Sequence, residues 1–442
     1  MVELRSKELI CDNLSVNEKG HLCLAGWDTV ELAEKYGTPL YLYDEGLIRA
    51  RAALYQKAAK EAFGENARVL YASKAACFKA LIEVMKQENM GIDVVSSGEI
   101  ATALAAGFPL ERAYFHSNNK TDEDVRFAIE NGIGAFVVDN AEELYAIERE
   151  AKKLGVTQKV LLRITPGIDP HTYAAVATGK VDSKFGSAIE TGQAEEITRL
   201  AISSSFSHIH LAGFHCHVGS QVFEAGVFLD AVDIMLSFVA HIQNACGYEI
   251  EELDLGGGYG VRYTEKDPAL SIAENIKAVG ARAKKMAQKL GISLPKILLE
   301  PGRSMVADAG MTLYTVGTVK KITGYKNYVS VDGGMTDNPR YALYRSAYTL
   351  LPADNMNAPR DMTASVVGRC CESGDILQEE VSLPASIGRG NILACLTTGA
   401  YNYSMAMNYN RIPRPPVVFL TKKETRLVVK RETLADLIRL DI

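Results

Sequence analysis

The 442-residue sequence contains no unbroken apolar run near the ~20 residues that a membrane-spanning helix needs, and its opening residues, Met1 to Arg5, have no signal-peptide core. Both absences make a soluble, cytoplasmic protein the expectation. Charge of one sign is also lacking. A formal charge of −6 and a pI near 5.9 give no footing for a nucleic-acid or acidic-membrane partner. The cysteines (Cys11, Cys23, Cys77, Cys216, Cys246, Cys370, Cys371 and Cys395) have no metal-ligand spacing. Cys370 and Cys371 are adjacent, which is poor geometry for a disulfide, so free thiols are expected. No G-x-G-x-x-G register opens a helix, and no Gly-Lys-Ser/Thr loop is present, which excludes the dinucleotide and Walker fingerprints. There is no low-complexity segment and no repeat beyond an alternation of strand and helix.

That alternation is what the sequence does have. Apolar runs of strand length occur at Arg68 to Ala72, Gly91 to Val95, Arg112 to Phe115, Ala135 to Val138, Lys159 to Ile164, His208 to His217, Glu251 to Leu255 and Ile297 to Glu300. Between most of them lie residues at helical spacing, such as Phe78, Leu81, Ile82 and Met85, or Phe228, Ile234, Phe238 and Ile242. Such alternation, over roughly 250 residues, predicts a (β/α)8 TIM-type barrel, whose catalytic groups sit on the loops after the strands. The runs indeed end in Lys74, Asp93, His116, Asp139, Arg163, His217, Gly256 and Glu300, residue types suited to chemistry.

Beyond Arg303 the texture changes to closely spaced strand candidates separated by Gly, Pro, Asn and Asp: Leu313 to Ile322, Tyr328 to Val331, Tyr341 to Leu351, Thr363 to Val367, Glu380 to Leu383, Ile392 to Leu396, Val417 to Leu420 and Arg426 to Val429. A mostly antiparallel β domain is expected there. Two further candidates, His21 to Leu24 and Leu40 to Tyr43, flank a helix-like stretch from Thr29 to Tyr36 and are expected to join it. The expected division is an N-terminal segment 1–45, a barrel 46–305 and a β domain 306–442.

The glycine run Gly256, Gly257, Gly258, placed directly after a strand, lets backbone N–H groups close on an anion, although it can equally be a tight turn. Ser220, Gly302 and Arg303 follow the neighbouring strands and could converge on the same point, which suits a small phosphorylated cofactor. Lys74 has small neighbours; a recessed amine can condense with a carbonyl cofactor, whereas an ordinary lysine would be solvated. Glu300 is placed to hold a pyridine nitrogen in its protonated form, the alternative being a salt bridge to Arg303. His215 and His217 share one face of a strand. Zinc is the rival reading of that pair, and against it the remaining histidines (21, 116, 171, 208, 210, 241) give no second cluster. Stacking of His217 on a planar cofactor is preferred, with His215 a hydrogen-bonded core residue; no metal is expected. Gly368 to Asp375 brackets Cys371 and Glu372 with glycines, as in an exposed loop whose thiol can serve as a proton donor.

In order and wording these elements resemble the diaminopimelate decarboxylase family of fold-type III pyridoxal-phosphate-dependent decarboxylases. The resemblance rests on Tyr71-Ala-Ser-Lys74, His215-Cys-His-Val-Gly-Ser-Gln221, Gly256 to Gly258, Glu300-Pro-Gly-Arg303, Cys371-Glu-Ser-Gly-Asp375 and Gly399-Ala-Tyr401, and runs from about residue 20 to the end. One departure is Ser117, where the family pattern has glycine. The resemblance implies a carboxy-lyase that converts meso-2,6-diaminopimelate to L-lysine and carbon dioxide, the last step of lysine biosynthesis. It implies pyridoxal 5'-phosphate covalently held by Lys74, with Asp93 and Arg163 around it, His217 on the ring, and Glu300 at the ring nitrogen. Ser220, Gly257, Gly258, Pro301, Gly302, Arg303 and Tyr401 would complete the cofactor site. Cys371 of the other subunit in a homodimer would protonate the α-carbon. Substrate contacts fall to Arg303, Arg340, Tyr344, Glu372 and Tyr401, since a guanidinium fork matches a far carboxylate. The competing readings are a decarboxylase of ornithine, lysine, arginine or carboxynorspermidine, a non-catalytic paralogue, which would be expected to lose Lys74 or Cys371, and an alanine racemase, which lacks the Cys-Glu-Ser-Gly-Asp loop.

Overall fold

The computed structural model describes residues 8–65, 67–168 and 183–442. His171, one of the histidines weighed as a ligand, lies outside them. By contacts the chain forms two compact units, one of Arg51–Gly260 with Leu270–Gly302, the other of Met1–Ala50, Val261–Ala269 and Arg303–Ile442.

The first unit is a closed parallel barrel. Its strands are Arg68–Ala72, Gly91–Val94, Ala113–Phe115, Ala135–Val138, Gln158–Thr165, Ile209–His215, Glu252–Asp254 and Lys296–Leu299, each paired with the next, and Lys296–Leu299 returns to Arg68–Ala72. All the expected strands form, with ends within about two residues, the usual uncertainty of a boundary. Leu70, Tyr114, Ala135, Val137, Leu161, Ala212 and Leu298 make one buried cluster, drawn from six different strands. Helix boundaries follow the local chemistry. Asn140 caps Ala141–Leu154 by accepting from the Glu143 N–H, and Gly155 ends it in the left-handed conformation. Ser271 and Gly291 do the same for Ile272–Leu290.

The helix Ala225–Cys246 corrects one expectation. Its 22 residues, with a best-window mean hydropathy of 1.7, are long and apolar enough to cross a membrane. Asp230 and Asp233 interrupt the run, which is why counting unbroken apolar residues missed it. Ten of its side chains, Phe228, Met235 and Phe238 among them, are buried as in a core barrel helix.

The second unit is built on the long strand Gly310–Lys321, which pairs with Leu40–Asp44, Asn327–Val331 and Ile392–Leu396. Alternation along this strand sends Met311 and Leu313 into one apolar cluster and Tyr314 and Val316 into another, so both sheet faces are covered. Most pairings are antiparallel; Asn327–Val331 with Met362–Val367 and Leu40–Asp44 with Val417–Leu420 are parallel. Both N-terminal segments join this unit as expected: Leu40–Asp44 enters this sheet, while Leu22–Leu24, in a small sheet of its own with Leu14–Val16 and Trp27–Asp28, packs into the cluster with Leu40 and Met311. The expected strand Tyr341 to Leu351 is instead a short helix, Arg340–Tyr344, followed by the strand Leu350–Pro352. Pro339 presets the turn that opens this helix and Arg345, at φ +55°, stops it. All eight cysteines are free.

One buried ion pair supports the barrel. Lys120 Nζ, fully enclosed, donates to Glu143 Oε1 at 2.7 Å and to the Val137 carbonyl at 2.9 Å. Burial pushes the lysine down and the carboxyl up, and the partner opposes each shift. Lys120→Met should therefore cost about 3–5 kcal/mol in urea unfolding by stranding Glu143, and adding Glu143→Leu should recover most of it. A single variant as stable as wild type would contradict a buried pair.

Candidate active site

Parallel strands all deliver their last residues to one end of a barrel. The expected groups meet there for that reason. Lys74 follows the strand Arg68–Ala72 in a single 3-10 turn, Ser73–Ala75, between buried alanines. Its side chain keeps 40% exposure, and Nζ lies 3.4 Å from Oδ2 of the wholly buried Asp93. Arg163 lies over the Phe185 ring at 4.2 Å. Burial first of all pushes His217 well below the usual histidine range, with Lys74 and Arg163 adding to the effect, so its ring is neutral; Nδ1 accepts from the Gly257 N–H at 3.4 Å.

Glu300 is buried with two histidines. His215 Nε2 donates to Oε2 at 3.2 Å, and His116 Nε2 comes within 2.7 Å of Oε1. The two rings meet edge-on at 4.8 Å. Burial lowers His215 to about 3, leaving it a neutral donor, and the nearby imidazoles hold Glu300 well below the usual carboxylate range against the opposing effect of burial. His215 is thus the hydrogen-bonded core histidine expected. His116 was not assigned a partner from the sequence, because four barrel strands and a long chain separation stand between it and Glu300. The ligand atoms of His116, His215 and Glu300 lie within 4.8 Å of one another. Histidines do cluster here, through His116 and not His217, but the contacts are hydrogen-bond lengths around an already engaged carboxylate. Glu99 was also missed. It accepts from the Val95 N–H at 2.8 Å and is pushed up to about 7 by burial and then by Asp93, with Lys74 opposing.

The glycine loop comes closer to neighbouring backbone than any side chain would allow. A Cβ on Gly257 would lie 2.1 Å from the Glu300 carbonyl oxygen, and one on Gly258, at φ +106°, would lie 2.4 Å from the Gly219 carbonyl oxygen. Gly302 is similarly pressed against Ala72. Ser220 follows Gly219 at the end of the His215 segment, half-buried, and Pro301 is buried beside Gly302. Ser117, the departure from the family pattern, adopts φ +151°, a conformation glycine takes without cost.

A second set of expected residues gathers within the other unit. Tyr401, at the left-handed φ of +61°, has the Arg303 guanidinium 4.7 Å and the Arg340 guanidinium 5.3 Å from its ring centre. Arg340 is also 5.4 Å from the Tyr344 ring, and Arg303 donates to the Tyr263 hydroxyl at 2.6 Å. Arg303 makes no ion pair with Glu300 among the described residues. Cys371 and Glu372 are exposed on the Cys-Glu-Ser-Gly-Asp loop. Its base is fixed by the buried Asp375, which accepts from the N–H groups of Met335 and Cys370 at 2.6 and 2.7 Å, while the Cys371 N–H donates to Asn410.

Residues 47–307 match the family model of the pyridoxal-dependent decarboxylases, pyridoxal binding domain. The diaminopimelate decarboxylase of Bacillus subtilis is 47% identical over 426 residues, 96% of either chain. The chain belongs to the diaminopimelate decarboxylase family. The crystal structure of the M. jannaschii diaminopimelate decarboxylase in complex with L-lysine matches with a TM-score of 0.90 at 34% identity, covering 98% of both chains. That of the Helicobacter pylori enzyme, also complexed with L-lysine, gives 0.83 at 31% identity over 94% of this chain and 99% of its own.

Family membership makes pyridoxal phosphate the cofactor, and the barrel end fits it. The glycine loop packs tightly with no side chains to fill the barrel mouth, a half-exposed lysine sits beside it, and Glu300 Oε1 is a buried acceptor without an aligned donor. Gly257→Ala should test the loop. The added methyl must displace the Glu300 backbone, and a loss of about 1–3 kcal/mol is expected in thermal unfolding of the cofactor-free protein. No change would mean that the loop yields without strain.

Proposed function

We propose that the protein decarboxylates meso-2,6-diaminopimelate, giving L-lysine and carbon dioxide at the close of lysine biosynthesis. The observation that carries the substrate assignment is the pair of guanidiniums, Arg303 and Arg340, on either contact of Tyr401. A dicarboxylic diamino acid keeps a second carboxylate remote from the reacting carbon, and arginine meets it with parallel N–H donors. Ornithine would bring a bare ammonium to the same place, where two guanidiniums repel it. The M. jannaschii and H. pylori relatives were crystallised with L-lysine, the product expected here.

Bound pyridoxal phosphate supplies an electron sink for the pair that departing carbon dioxide leaves on the α-carbon. Lys74 would hold the cofactor through its amine, which Asp93 orients. Glu300, to which neutral His215 donates, would keep the proton on the ring nitrogen. Neutral His217 would pack against the cofactor without adding charge. The Gly257 and Gly258 backbone, with Ser220, Pro301, Gly302, Arg303 and Tyr401, holds the phosphate end, while Arg163 balances the acidic side chains around it. Arg303, Arg340, Tyr344 and Tyr401 orient the far carboxylate, Glu372 takes the far ammonium, and Cys371 delivers the proton that replaces carbon dioxide. In this reading residues 46–305 form the cofactor-binding barrel, and 306–442 form the β domain that carries the Cys-Glu loop together with Arg340, Tyr344 and Tyr401.

We further infer that the protein acts as a cytoplasmic homodimer in which Cys371 and Glu372 of one subunit serve Lys74 of the other. Support comes from the family resemblance and from the exposure of both side chains.

Carbon dioxide release should be measured from meso-diaminopimelate and from ornithine, with the first favoured; a preference for ornithine would overturn the assignment. Arg340→Ala should lower kcat/KM for diaminopimelate about 10- to 150-fold, the equivalent of ~1.5–3 kcal/mol for a charged hydrogen bond, while leaving cofactor affinity within a few-fold. Equal losses in both would make Arg340 structural.

Sharing of sites is tested by complementation. Lys74→Ala and Cys371→Ala proteins, each nearly inactive, should recover ~25% of wild-type activity when co-expressed, because half of randomly paired dimers are mixed and half of their sites are intact. Mixed dimers that stay inactive would place Cys371 at its own chain's lysine.

A further inference from the structure

Asp254 is a buried acid to which the chemistry above gives no task. It ends the barrel strand Glu252–Asp254, next to the strand Lys296–Leu299 that leads into Glu300, and it has no solvent exposure. The glycine loop ties the two carboxyl groups together. The Gly256 N–H donates to Asp254 Oδ1 at 2.8 Å, and the Gly256 carbonyl accepts the Glu300 N–H at 2.8 Å. Asp254 is the register partner of Leu298, two residues before Glu300, so the two buried carboxyls lie side by side at the ends of neighbouring strands. Two ionised carboxylates offer only acceptors, so a hydrogen bond between them requires a proton. The remaining oxygen, Asp254 Oδ2, is buried with no donor of its own. His215 and His116 reach Glu300 at 3.2 and 2.7 Å, and the charge of Arg163 is near it; Asp254, beside His215 in register but not hydrogen-bonded to it, receives only the Gly256 N–H among the described residues. The proton therefore belongs on Asp254.

We propose that Asp254 is a neutral carboxylic acid in the folded protein and a positioning residue, donating its proton in a hydrogen bond to Glu300 so that the pair carries one negative charge. The inference rests on the reading of Glu300 as the ring-nitrogen partner. A carboxylate has about four lone-pair sites. Donors from Asp254 and His215 fix the plane of Glu300 and lower its proton affinity, leaving a site for the ring nitrogen and the proton on that nitrogen. Burial and the Glu300 charge push Asp254 far above the usual carboxylate range, in agreement.

Isotope-edited infrared spectroscopy of cofactor-free protein, with aspartate carboxyls labelled with carbon-13, reads the proton directly. Asp337, pushed up to about 7 by burial, also contributes to such a spectrum, so the comparison is wild type against Asp254→Asn. Near neutral pH wild type should show one more protonated aspartate band than the variant; identical spectra would overturn the proposal. The linkage is a second readout. An aspartate raised on folding adds stability below its unfolded pKa, which is lost as pH rises towards the folded value. Above about pH 5 the folding constant of wild type relative to Asp254→Asn should thus fall about tenfold per pH unit. Should that variant fail to fold, Glu300→Gln serves instead, because removing the neighbouring charge must let Asp254 ionise at lower pH and shift the band's titration downward.

In the loaded enzyme, Asp254→Ala should lower kcat at least about tenfold with little change in KM, the size expected for a hydrogen bond to a charged group. Asp254→Asn, whose amide also donates, should recover most of that loss. If both variants are equally impaired, Asp254 does not act as a donor. The spectra use neither substrate nor cofactor, so an absent band defeats this inference alone, and failure to release carbon dioxide from diaminopimelate defeats the functional reading alone.

Discussion

A carboxylate removed from water inside a barrel costs several kcal/mol unless its surroundings replace the lost hydration. Glu300 imposes that constraint here. The protein meets it with His215, a neutral donor at 3.2 Å, with His116 2.7 Å away and with the Arg163 charge nearby. A neutral donor satisfies the anion without cancelling it, which a direct salt bridge to arginine would have done. The absence of an Arg303–Glu300 pair among the described residues therefore matters. Arg303 meets Tyr263 and Tyr401, and in the proposed reading Glu300 keeps its charge for a cationic ring nitrogen.

The same need for close quarters shapes the glycine loop. The Glu300 N–H is held by the Gly256 carbonyl, and the Glu300 carbonyl occupies the space that a side chain on Gly257 would require. Phosphate binding and carboxylate placement are thus one geometric problem, since moving the loop to admit a methyl group would shift Glu300 as well. Here the glycines provide proximity at least as much as anion binding.

The barrel was legible in the sequence because its strands are buried apolar runs and its helices repeat with their own period, and these signals differ. Lys74, Asp93, His217 and Glu300 were legible because polar residues at strand ends have few structural reasons to be there. What escaped was pairing through space. Nothing in the local sequence of His116 says that it meets Glu300, and Asp254 sits inside the run Glu251 to Leu255 with nothing local to mark it as a buried acid. The failures in the β unit have local causes. Tyr341 to Leu351 is rich in strand-forming residues, yet Pro339 and Arg345 set a helical turn that propensity alone does not reveal. Leu14–Val16 and Trp27–Asp28 are too short for periodicity to register.

The two residue clusters also divide the chemistry. In the proposed reading, barrel strand ends supply the groups that set charge on the cofactor, with Asp93 and Glu300 buried and Lys74 half-exposed. In the same reading the β unit supplies the arginines and tyrosines that meet the remote end of a substrate, together with an exposed thiol loop anchored by Asp375. A change of substrate then needs changes only in the second set. Exchange of Arg340 leaves the Glu300 surroundings intact, whereas any change near Glu300 would alter turnover for every amino acid alike. Decarboxylases of different specificity can share a barrel for this reason, and substrate assignments rest on the arginines around Tyr401, not on the lysine that defines the cofactor class.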